Sequence, residues 1–179
     1  MFINRSQTLL CAALLATSMA PRIFADEADK KTDVTISGPI EVPGRVLPEG
    51  SYVFKLLDSQ SDRNILEIFD KNEQHLVTTV LAVPNYKLRT ASKPIITFEE
   101  RAADSPEAIK AFFYPGDNYG LQFVYPHDQA VKIAKRANQN VLAMRGSTNG
   151  HDMKSAEVTG VNPSGESVPI SGVVQSKQQ

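Results

Sequence analysis

The segment DSQSDRN, residues 58–64, contains the first side chains in this sequence that suggest chemistry. Its alternating acidic residues are typical of a calcium-binding loop, which also needs glycine at its sixth position and a bidentate glutamate at its twelfth. Counted from Asp58, those positions hold Arg63 and Phe69. Because Asp, Ser and Asn favour turns by bonding to nearby backbone, we interpret the segment as the polar end of a β-hairpin with no bound metal.

Glu99 and Glu100 have the residue types of a catalytic carboxylate pair. Adjacent residues on a strand point to opposite faces, so the two share a substrate only where a bulge brings them together. The alternative is a solvated Glu99 beside Arg101, two positions along on the same face. We expect that surface pair rather than a catalytic site.

Other motifs of catalysis and metal binding are missing from the sequence. His75, His127 and His151 have no metal ligand at the spacing of His-x-His, His-x-x-x-His or HExxH, and we expect them to be unpaired surface residues. Neither GxSxG nor a glycine-rich phosphate loop occurs. Cys11 is the single cysteine and lies near the start of the chain, so no disulfide or Cys-ligated zinc site is predicted. No cofactor is predicted either.

The residues best suited to contact a ligand lie in FFYPGDNYGLQFVY, residues 112–125. Aromatic rings stack on sugars and other small ligands, and amide and acid groups hydrogen-bond to them. The competing interpretation is that the phenylalanines are core and the tyrosines form the half-buried rim of a hairpin. The predicted ligand-binding residues are Tyr114, Asp117, Asn118, Tyr119 and Tyr125.

Short strands must position these side chains. From Thr32 onward, runs of β-branched and aromatic residues alternate with turn sequences such as Pro43-Gly44, which suits a type II turn. In a hairpin in which Lys55 lies opposite Glu67, the apolar side chains share one face of the strand pair. The opposite charges of Lys55 and Glu67 meet on the other face. That apolar face consists of Tyr52, Phe54, Leu56, Leu66 and Ile68. A slip of one residue would move charges into the core, so the pattern specifies the register.

Later segments predict four further strands and one helix. The strands are HLVTTVLAV, which ends at Pro84, then PIITFEER, AIKAFFYP and LQFVYP. NYKLRTASK is interpreted as a loop, with a short edge strand within it as the alternative. Ser105-Pro106-Glu107 has the composition of a helix start, but the three consecutive aromatics after it favour a strand over residues 109–114. HDQAVKIAKRANQ predicts an amphipathic helix with Asp128 as its N-cap. Its apolar stripe consists of Ala130, Ile133, Ala134 and Ala137.

The predicted fold is mainly β: a single antiparallel β-sandwich, or alternatively a small open β-barrel, with one C-terminal helix and a disordered tail. The predicted divisions are a signal peptide (1–25), a charged leader (26–31), the β-sandwich (32–125), a helix packed on or beside it (126–145) and a flexible tail (146–179). The tail prediction rests on its Gly, Ser and Gln content and its isolated valines.

The first residues predict export. Arg5 precedes the uncharged apolar run TLLCAALLATSMA, which is too short to span a bilayer and is followed by an expected cut after Ala25. Removal of residues 1–25 takes away Arg5 and Arg22 and no acid, which leaves 17 basic and 20 acidic residues. This near-neutral, mixed charge argues against nucleic acid or an anionic membrane as partner. We expect a periplasmic or extracellular protein without a stable membrane anchor after cleavage.

The blocks LPEGSYVFKL, SDRNI, ITFEER and FYPGDNYGLQFVYP resemble an uncharacterised family of small exported bacterial β-rich proteins, over about residues 34–135. That resemblance implies no activity, cofactor or catalytic residue. LPEGSYVF alone is also similar to many secreted β-sandwich modules, which says nothing about function.

Three functions follow as hypotheses. The first is an exported, non-catalytic binding or envelope-associated module whose partner is an unknown protein or carbohydrate, contacted through the hairpin at 114–125. The second is an exported hydrolase or sugar-active enzyme whose acid site is assembled in space from Glu67, Glu99 or Asp117. The third is a barrel-type carrier of an apolar ligand, which requires an empty interior cavity.

Overall fold

The computed structural model describes residues 30–57, 64–100, 105–145, 153 and 155–174. The predicted signal peptide, most of the leader and the DSQSDR part of the first loop lie outside these residues. Within them, no helix is long and apolar enough to cross a membrane. The elements are β1 (Lys31–Ile36), β2 (Ile40–Val42), β3 (Arg45–Leu47), β4 (Gly50–Leu56), β5 (Ile65–Asp70), β6 (Leu76–Tyr86), β7 (Ile95–Phe98), β8 (Glu107–Phe113), β9 (Tyr119–Phe123), β10 (Tyr125–Pro126), α1 (His127–Ala137), β11 (Val141–Arg145), β12 (Glu157–Val161), β13 (Ser167–Val168) and α2 (Ser171–Val174).

The strands form two sheets, which confirms the predicted mainly β fold. The larger sheet has the order β1-β4-β5-β6-β9-β8-β2-β3, with β7 also paired to β8, and the smaller has the order β10-β11-β12-β13. Most pairs are antiparallel, but β2 with β8 and β10 with β11 are parallel. Among the described strands the larger sheet does not close into a barrel.

One strand and one bend fold the larger sheet onto itself. The first part of β6 pairs with β5 and its last part pairs with β9, so β6 belongs to both halves. Residues 37–39 separate β1, which pairs with β4, from β2, which pairs with β8. The two halves therefore face each other, and the rings of Phe54 on β4 and Phe112 on β8 meet with centroids 5.1 Å apart.

The β4–β5 hairpin has the predicted register. Lys55 lies opposite Glu67, and Phe54 lies opposite Ile68. All five residues of the predicted apolar face are buried: Tyr52, Phe54, Leu56, Leu66 and Ile68. The β2–β3 turn also matches its prediction, since Gly44 has φ of 81°, as the third residue of a type II turn requires.

Segment 107–113 is a strand, as predicted, and not a helix. The helix predicted within 126–145 forms over His127–Ala137, and its four predicted apolar residues are all buried. Asp128 was expected to cap this helix; it lies instead in the first turn, after Pro126, which makes no side-chain cap. An acid in the first turn still interacts favourably with the helix dipole. Val141–Arg145, also predicted as helix, is a strand.

A polar cluster fixes α1 to the larger sheet. Arg136 forms an ion pair with the buried Glu41 of β2. Gln129 donates from Nε2 to Glu41 Oε1 at 2.9 Å and to the carbonyl oxygen of Val42 at 3.0 Å. Its Oε1 accepts from the backbone N–H of Gly44 at 2.8 Å. The side chains of the helix thus satisfy both the buried carboxylate and the adjacent hairpin turn.

The predicted flexible tail is wrong for its described part. β12 pairs with β11 over five residues, from Val141 opposite Val161 to Arg145 opposite Glu157. Met153, Val161 and Val173 are buried. Val161 and Val173 are therefore core residues. Gly160 lets β12 lie close to Val168 and Val173, where an added Cβ would collide. Segments 146–152 and 175–179 are outside the described residues.

Candidate functional site

The β8–β9 hairpin brings the candidate ligand residues to one end of the larger sheet. Phe113 lies opposite Gly120, and its ring occupies the space that a side chain at position 120 would fill. In the connecting loop, Gly116 has φ of 82°, and its N–H donates to the carbonyl oxygen of Ala91 at 2.7 Å. The loop is therefore held against the segment that follows β6.

Two tyrosines meet at the surface beside this loop. Tyr86, at the end of β6, lies directly opposite Tyr119, and their rings contact edge to face with centroids 5.6 Å apart. Tyr86 is 66% exposed, and Leu88, two residues further on, is 75% exposed. Exposed apolar side chains grouped in this way often mark contact surfaces. We name Tyr86, Leu88 and Tyr119 the tyrosine patch.

Charged groups brace the loop next to the patch. Lys30 Nζ lies 2.7 Å from Asp117 Oδ2, so the predicted ligand residue Asp117 already has a cation partner. The carbonyl oxygen of Asn118 accepts from the N–H of Lys87 at 2.9 Å, while the Asn118 residue is exposed. Both residues remain near solvent, and the backbone on either side of the patch is held in place.

Lys87 has an unusual position under the patch. Its ammonium group lies 4.7 Å from the centroid of the Phe113 ring, which is within the range of a cation–π contact. The nitrogen is buried and has no hydrogen-bond partner among the described residues. The ring of Phe113 therefore stabilises a cation that water does not reach.

The two outermost predicted ligand residues are not at the surface. Tyr114 is 4% exposed and packs edge to face on Phe112 at 4.8 Å, and burial raises the pKa of its hydroxyl. Tyr125 is fully buried, and its hydroxyl lies 2.7 Å from the carbonyl oxygen of Ile109 and 3.1 Å from that of Glu41. Burial also raises the Tyr125 pKa well above its usual value. Both are core residues, so neither side chain is available at the surface for the predicted ligand contact.

The sequence prediction therefore named three residues that the structure keeps near solvent: Asp117, Asn118 and Tyr119. It missed Tyr86 and Leu88, which come from a segment interpreted as a loop. Extending the strand HLVTTVLAV beyond Pro84 would have placed Tyr86 opposite the candidate hairpin. Pro84 argued against that extension, because proline cannot donate a hydrogen bond to a sheet.

The carboxylates considered for an enzyme are in separate places. Glu67 faces Lys55 on the β4–β5 hairpin, and Asp117 pairs with Lys30. Glu99 was expected to be solvated beside Arg101, but it is 4% exposed and its Oε2 lies 3.4 Å from Lys110 Nζ. Arg101 is outside the described residues. Each of these three acids thus lies beside a different lysine.

A register shift in the β7–β8 pair explains the buried glutamate. Thr97 pairs with Ala111, but Phe98 pairs with Ile109, which leaves Lys110 as an extra residue. A bulge of this kind re-aims side chains, and the N–H of Glu99 then donates to the carbonyl oxygen of Ala108 at 2.9 Å. Burial raises the pKa of Glu99, and the charge of Lys110 opposes that effect in part.

The histidines and the interior of the larger sheet are the remaining places where a site was considered. His75, expected to be unpaired, lies with Nδ1 2.8 Å from Asp70 Oδ2, and this hydrogen bond lowers the pKa of Asp70. Among the residues that the structure describes, no three His, Cys, Asp or Glu side chains form a metal-binding group. The space between the two halves of the larger sheet is occupied by side chains such as Phe54, Phe112 and Tyr114, which contact one another.

The comparisons with known proteins add no relative to this description. The chain matches no protein-family model, no curated protein and no solved structure.

Proposed function

We propose that the protein is an exported, non-catalytic binding module that holds a carbohydrate of the cell envelope against the tyrosine patch. The observation that carries this proposal is the exposure of Tyr86, at 66%, while its ring is held against Tyr119. A ring fixed in this way loses little conformational freedom when a ligand covers it. The export step rests on the first 25 residues of the sequence.

The chemistry of the patch suits a sugar better than a purely apolar ligand. Sugars offer C–H faces that stack on aromatic rings and hydroxyls that hydrogen-bond at the ring edges. Tyr86 and Tyr119 supply the rings, and the exposed Asn118 and the ion-paired Asp117 lie in or beside the connecting loop. An apolar surface with polar groups at its rim is the usual composition of a small-ligand site.

The test is titration calorimetry of the mature protein with chitooligosaccharides, soluble peptidoglycan fragments and neutral glucans. We expect one of these classes to bind. Tyr86→Ala and Tyr119→Ala should each weaken that binding about tenfold, because an aromatic contact contributes on the order of 1–1.5 kcal/mol. Tyr119→Phe keeps the ring and should retain most of the affinity.

Leu76→Ala is the matched control, since Leu76 is 51% exposed at the opposite end of β6. It should bind as the wild type does. Equal binding by the wild type and both alanine variants would remove the patch as the contact surface. Failure of all three glycan classes, together with recovery of a protein partner that Tyr119→Ala loses, would replace the sugar with a protein ligand.

A further inference from the structure

A surface groove of about 690 Å³ lies away from the tyrosine patch, between β1 and β7. The end of β1, the bend that follows it, and the outer residues of β7 and β8 form its walls. The residues that line it include Ile36, Gly38, Pro39, Ile96, Phe98 and Glu107.

Both strands that border the groove are edge strands. Among the described strands, β1 pairs with β4 alone and β7 pairs with β8 alone. Each therefore leaves backbone N–H and C=O groups on its outer side without a strand partner. Natural proteins generally cover or disrupt such edges, because they are templates for pairing with another chain.

The bend between β1 and β2 borders the gap between the two edges. At residues 37–39 the chain leaves β4 and continues as β2 beside β8. Pro39 has no N–H to donate to a neighbouring strand. Apart from its chain neighbours, no described residue has an atom within 4 Å of where a Cβ of Gly38 would be. The structure therefore leaves open space beside the bend.

We propose that the groove binds an extended peptide segment of a partner protein, which adds as a strand between β1 and β7. A ligand that lies between two strand edges must hydrogen-bond to backbone groups on both of its sides. An extended peptide has N–H and C=O groups on both sides at the spacing of a strand. This site is separate from the tyrosine patch and does not depend on the carbohydrate proposal.

The lining also indicates which side chains the peptide carries. Ile36, Ile96 and Phe98 offer apolar contacts, and Phe98 is 38% exposed. Glu107 is the one charged residue among the lining residues. The complementary peptide therefore alternates apolar residues toward the groove with polar ones toward solvent, and includes a lysine or arginine near Glu107.

The direct test uses a fluorescent, capped octapeptide of alternating valine and threonine with one central lysine, titrated by anisotropy. Two further versions carry backbone N-methyl groups, one on the odd residues and one on the even residues. Each version removes the donors from one side of the strand. If the peptide bonds to both edges, both versions should bind on the order of tenfold more weakly than the parent. Hydrogen exchange of wild-type amides in β1 and β7 should slow when the parent peptide is added.

Substitutions locate the site. Phe98→Ser should weaken binding, whereas Leu76→Ser, which changes a comparably exposed residue outside the groove, should not. Glu107→Gln should weaken the lysine peptide but leave a norleucine version of it unaffected. Tyr119→Ala should bind the peptide normally, which separates this proposal from that for the tyrosine patch.

Several results would overturn the proposal. The first is that the parent peptide does not bind. The second is that only one of the two N-methylated versions binds more weakly, and the third is that amides of β1 and β7 exchange no more slowly with peptide. The fourth comes from sedimentation of the protein alone: a dimer abolished by Phe98→Ser would make a second copy of this chain the occupant.

Discussion

Burial and a nearby lysine shift the pKa of Glu99 in opposite directions. Its side chain is 3% exposed and has Lys110 as its cation, 3.4 Å away. Burial raises the pKa of Glu99 above its ordinary value of 4.5, and the interaction with Lys110 lowers it by less. The folded state therefore favours the protonated carboxyl more than the unfolded state does.

This shift predicts a pH-dependent effect of Glu99→Gln. A raised pKa gives a stabilising contribution that is complete below pH 4.5 and is lost as the pH rises through the folded-state pKa. Glutamine stays neutral and lacks this dependence. The free energy of unfolding of the wild type, relative to Glu99→Gln, should therefore fall with rising pH. Urea denaturation from about pH 4 to about pH 8 measures the difference. Glu49→Gln is the control, because Glu49 is exposed, and a rising wild-type advantage would contradict the prediction.

Gly120 gives a second prediction at this scale. A Cβ at this position would overlap the ring of Phe113 and lie 2.7 Å from the carbonyl oxygen of Phe112. Gly120→Ala should destabilise the protein by about 1–3 kcal/mol, because a packed ring and a strand backbone must both move. Gly38→Ala has open space around it and should change stability by less than about 0.5 kcal/mol. Denaturant midpoints of both variants provide the comparison, and equal effects would refute the packing argument.

Which single residues are exposed could be predicted only in part. The alternation of β4 and β5 identified the inward residues, because these strands have one clearly apolar face. In the strands of the segment 112–125, apolar and aromatic residues occupy both alternating sets of positions, so alternation does not distinguish inside from outside. Tyr125 was placed at the surface for this reason, although its hydroxyl bonds to buried carbonyl groups.

At the scale of elements, the ion pair between α1 and β2 joins two side chains that differ in exposure, so removing one should cost more stability than removing the other. The Arg136 side chain is 30% exposed and the Glu41 side chain 11%. Arg136→Met leaves a buried carboxylate without its cation and should cost about 2–3 kcal/mol. Glu41→Gln leaves an arginine that can turn to water and should cost about 1 kcal/mol. A double-mutant cycle with thermal unfolding measures both, and equal costs would contradict the assignment of Glu41 as the desolvated partner.

The elements that the sequence predicted correctly have strong local periodicity. The β4–β5 register follows from alternation, and the buried face of α1 follows from apolar residues three and four apart. β11 and β12 were missed for different reasons. β11, VLAMR, is apolar at four consecutive positions and so has no alternation that marks a strand, whereas β12, EVTGV, has few apolar residues. Each is stabilised by its partner strand and by α1. Their strand state results from tertiary contacts, which override local propensity.

At the scale of the whole molecule, the segment after Arg145 should be required for stability. Truncation after residue 145 removes Met153 and Val173 from a buried apolar cluster that contains Leu142 and Met144, and it removes Val161 from the main core. Burial of each side chain contributes about 1.5 kcal/mol or more, so we expect a loss of at least about 4 kcal/mol. Removal of residues 175–179 alone is the control and should have little effect. Differential scanning calorimetry measures both, and an unchanged melting temperature after the longer truncation would contradict the assignment of these three side chains to the core.

The fold class was predictable from the sequence, and the path of the larger sheet was not. Short strands separated by turns indicate a mainly β protein. The pairing of β2 with β8 joins residues far apart in sequence. Gly38-Pro39 marks a turn at residues 37–39, but it does not indicate which strand β2 pairs with afterwards. The tyrosine patch depends on the same kind of distant pairing, between β6 and β9.

The shared strand β6 couples the unfolding of the two halves of the larger sheet. Its backbone pairs with β5 over one stretch and with β9 over the next, without a break between Leu81 and Ala82. Detaching either half strips hydrogen bonds from the same eleven-residue strand. The two halves should therefore lose their structure in one cooperative event, and amide protons on β5 and β9 should exchange with the same opening free energy.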